Sequence, residues 1–238
     1  MSKAYQGKTC VYCALEGASE TGDHVIARSF FPIDQRANLP KVPACLKCNG
    51  AKSELETYLS SVMPFGGRHP LSADILNHLV PKRLAKNKRI HRELAQSFTD
   101  RARIGPDGSV QLRKTISVEA DKIEQLYRLI VHGLCWSEWK LLLPPSESEV
   151  RVGFLNSRGE RMLSSLIGMR AKRRCQGILG GGLFQYEGVQ AIDNDTITIW
   201  RMSLYGVQFM DADQSIDTTI ACYGSSAPIG KALPINSD

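Results

Sequence analysis

The sequence predicts an α+β fold in three parts. These are a small cysteine-rich N-terminal module (residues 1–62), a basic helical connector carrying a short hairpin (63–116), and a C-terminal α+β domain with an antiparallel sheet (117–238). Three observations predict it. Cys10-Val11-Tyr12-Cys13 is answered by Cys45-Leu46-Lys47-Cys48. Apolar residues recur at three- and four-residue spacing from Val118 to Trp136, the period of a buried helix face. Beyond Pro144-Pro145, short apolar runs separated by turn residues read as strands.

The elements follow in chain order. Val25-Ile26 and Phe30-Phe31 suggest a short strand leaving Asp23-His24 and turning at Pro32, and residues 51–59, with Leu55, Tyr58 and Leu59 on one stripe, predict a helix after the second cysteine pair. Leu71 to Arg103 reads as helical and basic, opening near Ser72-Ala73-Asp74. Gly105-Pro106-Asp107-Gly108 is a turn, expected to join two short strands with Val110-Gln111-Leu112 on the far side. Ile123, Leu126, Tyr127, Ile130, Val131 and Leu134 define the strongest helix. Strands are expected at 150–155, 183–189, 196–204 and 207–210, the middle two paired through Asp193-Asn194. Gly180-Gly181-Gly182 lacks the lysine and helix of a phosphate loop and reads as a bend. Arg170 to Arg174 reads equally as a solvated helix end or a nucleic-acid contact.

Composition bounds the function. At 238 residues, with 42% hydrophobic residues, the chain can bury one or two cores, and no apolar run approaches the roughly 18 residues of a membrane span. The opening MSKAYQGKTC lacks the apolar stretch of a signal peptide, which predicts a cytoplasmic protein with reduced thiols. The net charge of +6 is concentrated before residue 117, most densely at Lys82, Arg83, Lys86, Lys88, Arg89 and Arg92. Such a field favours a polyanionic partner, because each phosphate contact releases condensed counterions.

Two C-x-x-C pairs place four thiolates, those of Cys10, Cys13, Cys45 and Cys48, where they can close a tetrahedron around one zinc ion. With all four positions filled by sulfur the zinc is structural, standing in for core that so small a module lacks. Chemistry must then come from elsewhere. Asp23 and Asn49 offer oxygen, which suits a hard cation such as Mg2+ or Mn2+, and His24 can take a proton from an attacking water. Arg28 and Lys52 flank these residues and are candidate phosphate contacts. His69, His78, His91 and His132 have no partner at ligand spacing, and Cys135, Cys175 and Cys222 read as small buried groups.

Residues 8–59 resemble the HNH endonucleases, the ββα-metal nuclease family. Asp23-His24-Val25-Ile26-Ala27 resembles the family's Asp-His-hydrophobic-hydrophobic-Pro segment, with Ala27 where proline is usual. Cys45-x-x-Cys48-Asn49-x-x-Lys52-Ser53 resembles its closing element. The resemblance implies Asp23 and Asn49 as ligands of the catalytic ion and His24 as general base. It also implies Asn38, before Leu39, as the residue bracing the loop that bears the base.

The expectation is a metal-dependent endonuclease hydrolysing phosphodiester bonds in DNA, with little sequence preference of its own, in bacterial defence or a mobile element. A protein partner or a second copy would dock through the C-terminal domain. Two alternatives stand beside it: a non-catalytic zinc module that binds nucleic acid through the basic connector, and an RNA nuclease of the same chemistry.

Overall fold

The computed structural model of the protein describes residues 3–104, 109–154, 157–206 and 222–229. Its N-terminal part is a two-stranded hairpin followed by a helix. Strand β1 (Thr21–His24) pairs antiparallel with β2 (Lys41–Ala44), setting Asp23 opposite Val42 and His24 opposite Lys41. Helix α1 spans Leu46–Val62. The strand expected after the Asp-His pair instead contains it, and the chain leaves His24 into a loop where Val25, Ile26, Phe30 and Phe31 are all buried. The helix also starts earlier than expected. Cys45 caps it, its thiol accepting from the Cys48 backbone N–H at 3.4 Å, so the second cysteine pair occupies the helix's first turn. A thiol can satisfy an orphan N–H as a hydroxyl does, a capping role that apolar periodicity alone does not reveal.

The connector begins with α2 (Leu71–Asp74), which runs through a π-helical turn (Ile75–Leu79) into α3 (Val80–Lys86). Pro81 lies at the start of α3 and has no N–H to close the usual bond, which accounts for the widened turn before it. Helix α4 (Lys88–Ser97) is capped by the Asn87 side chain, which accepts from the Ile90 N–H at 3.2 Å. The expected helix ends here rather than at Arg103. Strands β3 (Phe98–Ile104) and β4 (Val110–Ile116) form an antiparallel hairpin of their own, and the Gly105–Gly108 turn between them lies outside the described residues.

Helix α5 (Ala120–Trp139) is the centre of the molecule. One side meets α1 and β2, and the other meets the C-terminal sheet. That sheet is formed by β5 (Ser148–Phe154), β6 (Arg173–Leu179), β7 (Phe184–Gln190), β8 (Thr198–Leu204) and β9 (Cys222–Pro228). Its order is β5-β9-β8-β7-β6, antiparallel throughout. The expected hairpin is β7–β8. Strand β6 includes Arg173 and Arg174, from the segment that reads in the sequence equally as a solvated helix end or a nucleic-acid contact. Residues 207–210, expected as a strand, lie outside the described residues. Helix α6 (Ser157–Gly168) sets Leu163 and Ile167 against Val189 and Ile199, making a small second core.

The main core is continuous from Cys10 to Tyr205 and draws on all three parts of the chain. Two glycines let α5 sit deep between its neighbours. A Cβ on Gly133 would lie 2.9 Å from a Val25 methyl, and one on Gly224 would lie 2.4 Å from a Val131 methyl. Tyr205 ties the far end of the sheet to the first module, its hydroxyl donating to the Phe30 carbonyl at 2.6 Å. Its backbone is left-handed (φ +58°), an uncommon state for a bulky residue. Its own N–H donates to the Leu183 carbonyl at 2.7 Å, and its carbonyl accepts from Arg68 and His69, each at 2.9 Å. Among the described residues no helix is long and apolar enough to cross a membrane.

Candidate metal centre and active site

Two tight turns bring the four cysteines together. In the first, Ala14 donates to the Cys10 carbonyl at 2.8 Å and adopts φ +58°, folding Cys13 back over Cys10. The turn is fastened to the hairpin by Val11, whose N–H donates to the Pro43 carbonyl at 3.0 Å. In the second, Cys45 N–H donates to the Cys10 sulfur at 3.3 Å. The four sulfur atoms all lie within 4.8 Å of one another. A tetrahedral zinc thiolate with Zn–S near 2.3 Å has sulfurs roughly 3.8 Å apart, so the group can hold a metal ion such as zinc. Burial pushes the Cys10 and Cys48 thiols up, a cost for bare thiolates that a cation at their centre would offset.

Beside this group, α1 turns one face toward β1. Lys52 on that face is completely buried (0% exposed) and serves three acceptors. Its ammonium lies 2.9 Å from Asp23 Oδ2, donates to the His24 carbonyl at 2.7 Å, and pairs with Glu56 one turn along the helix. The Tyr12 hydroxyl, from between the first two cysteines, donates to the same Asp23 oxygen at 2.5 Å. Two carboxylates thus share one ammonium, and burial pushes Glu56 up to about 7 against the pull of Lys52. Burial also pushes Tyr12 well up, with Asp23 and Glu56 adding to the effect, so it stays a hydrogen-bond donor.

This arrangement corrects one expected role. Lys52 does not reach out to a phosphate: it is an internal strut between helix and hairpin. Asp23 is buried too, but both its contacts fall on Oδ2. Asn49, three residues before Lys52, shares its helical face, and its half-buried amide makes no side-chain hydrogen bond among the described residues. Among the described residues Asp23 Oδ1 and the Asn49 carbonyl oxygen are therefore uncommitted, and both are hard donors of the type that divalent cations such as magnesium take.

His24 is half-buried at the end of β1. Burial pushes it down to about 4, assisted by Lys41 across the hairpin and by Arg28 and Lys52, against an opposing pull from Asp23. Its imidazole is therefore neutral at pH 7 and has a free lone pair. Asn38 differs from its expected role: it is exposed, takes the left-handed conformation (φ +56°) that asparagine tolerates, and makes no side-chain hydrogen bond among the described residues. It shapes the loop through its backbone.

The basic residues divide. Arg83 is not a free phosphate contact, because its guanidinium donates to the carbonyls of Ser29 and Ser60 and hydrogen-bonds the Tyr205 hydroxyl. Lys82, Lys86, Lys88 and Arg28 are exposed, and Arg89 is exposed while pairing with Glu93 at 3.3 Å. Tyr12 and Glu56 were not evident as site residues. Only the four-residue spacing of Lys52 and Glu56 on a helix hinted at a pair.

No protein-family model, curated protein or solved structure matches the chain.

Proposed function

We propose that the protein is a metal-dependent endonuclease of the HNH type that hydrolyses phosphodiester bonds in DNA. The observation that carries this reading is the Lys52 strut. It fastens the Asn49 face of α1 to Asp23 and to the backbone of His24, next to the four-cysteine group. Asp23 Oδ1 and Asn49 would hold magnesium or manganese, which when bound supplies charge stabilisation for the phosphate and the departing oxygen. His24, kept neutral by burial with help from its cationic neighbours, accepts the proton of the attacking water. The Lys52 contact holds the His24 backbone still, so its imidazole keeps one direction of approach.

Incubation of the zinc-loaded protein with supercoiled plasmid and Mg2+ or Mn2+ tests the reading, beside His24→Ala and an EDTA control. Nicking or linearisation lost in both controls supports it; cleavage that survives His24→Ala overturns the assignment of the base. A parallel incubation with RNA separates the two polymers. One observation favours a second reading, a non-catalytic zinc module that binds nucleic acid: the Asp23 carboxylate is largely buried and already neutralised by Lys52. Binding without cleavage under any divalent ion would select it.

A further inference from the structure

Around His24 the surface carries three cations, and among the described residues none of them is ion-paired with a carboxylate. Lys41 stands directly opposite His24 in the antiparallel register, so the two side chains leave the same face of the hairpin. Arg28 opens the 3-10 turn four residues beyond His24 and is exposed. Arg36 comes from the loop that returns to β2. Its Nε donates to the Phe31 carbonyl at 3.0 Å, an anchor that leaves both terminal nitrogens of the guanidinium unused among the described residues.

The charges are close enough to act on one another. Lys41 and Arg28 both push His24 down, and Arg28 adds to the effect of burial on Arg36. Among the described residues none of the three makes an ion pair, and the nearby Asp34 carboxylate instead accepts from the Gln35 amide at 3.0 Å. Like charges fixed together without a counter-charge are unfavourable in the free protein. An anion with several oxygens relieves that repulsion, and a guanidinium anchored at Nε presents its remaining donors as a fork.

We propose that Arg28, Arg36 and Lys41 form a phosphate cradle beside His24 that grips the backbone of a nucleic-acid strand. The strand's presentation to His24 rests on the nuclease reading; the cradle rests on the uncompensated charges alone. Arg28 was anticipated as a phosphate contact from its position. Arg36 and Lys41 are assigned here, and Lys52 is removed from that role.

The test is equilibrium binding of a fluorescein-labelled DNA duplex to the zinc-loaded protein, without added magnesium or manganese, across a salt series. Arg36→Gln/Lys41→Gln is compared with Lys140→Gln/Lys172→Gln, a double variant with the same change in charge on the C-terminal domain. Two lost phosphate contacts should lower the slope of log K against log salt by about 1.8 and weaken binding about tenfold or more near 0.1 M salt. The control should keep the wild-type slope. An unchanged slope in the cradle variant, or an equal drop in both variants, overturns the proposal. Because this assay involves no cleavage, a wild-type protein that binds through the cradle yet never cuts plasmid would defeat the nuclease reading and leave the cradle standing.

Discussion

Replacing Lys52 with methionine removes the ammonium while nearly keeping its volume, and the structure sets the cost. Three acceptors lose their donor: Asp23 Oδ2 at 2.9 Å, the His24 carbonyl at 2.7 Å, and Glu56. Removing one partner of a buried ion pair costs roughly 3–5 kcal/mol, because the charge left behind is uncompensated. For a chain of this size that is roughly 6–20 °C of melting temperature. The cost should also depend on pH. With Lys52 in place Glu56 titrates at about 7; without it, burial and Asp23 are opposed only by the backbone hydrogen bond from Ala27, and Glu56 keeps its proton in the folded state to higher pH. The folded variant then holds more protons than wild type between pH 6 and 8, so its stability falls more steeply as pH rises. Integrating from a wild-type value of about 7, with the variant protonated throughout, the extra loss at pH 8 relative to pH 6 is about 1.4 kcal/mol. Urea unfolding followed by circular dichroism, at both pH values with zinc and reductant present, measures it. A loss under about 1 kcal/mol, or an equal loss at both pH values, would refute the argument. Lys52→Met/Glu56→Leu should recover part of the loss, since an apolar pair of similar volume needs no compensation.

Three further outcomes are expected. The purified protein should contain about one zinc per chain by metal analysis, and Cys45→Ser or a strong chelator should lower its melting temperature sharply. Gly133→Ala would ordinarily stabilise a helix by roughly 1 kcal/mol. Here the new methyl meets Val25 at 2.9 Å, so calorimetry should show net destabilisation that Val25→Ala reverses. His132 is pushed down to about 4 by burial, and its Nδ1 has no hydrogen-bond partner among the described residues. Its contribution is therefore complete above its unfolded value near 6.5 and is lost as pH falls toward 4, by at most about 3 kcal/mol. His132→Leu should unfold with a flatter stability profile than wild type between pH 7 and 5.

The cysteine spacing was a sufficient guide to the four-cysteine group, because bringing the thiols together needs only residue type and two short turns. The period of α5 was equally legible: Ile123, Leu126, Tyr127, Ile130 and Leu134 face a core on one side, and that face dictates a helix whatever packs against it. Strand β6 was not legible. Its Arg173-Arg174-Cys175-Gln176 lies at a sheet edge with little burial, so alternation carries almost no apolar signal there. The Lys52 strut was hidden for a different reason. A lysine is ordinarily exposed, and nothing local distinguishes one that meets Asp23 and Tyr12 from far along the chain. Arg83 misled in the same way, since its partners Ser29, Ser60 and Tyr205 come from three separate segments.

The bond from the Tyr205 hydroxyl to the Phe30 carbonyl spans 175 positions of sequence. With Arg83 on the same hydroxyl, it means that the loop leaving His24 is completed by a residue made long after the four cysteines. The first sixty residues are therefore not a cassette that can be cut out and grafted onto another scaffold. A ribosome-bound N-terminal fragment would carry the cysteines, Asp23 and His24 but lack the clamp that sets their loop. Whatever this site does to its ligand should begin only when the last sheet has closed.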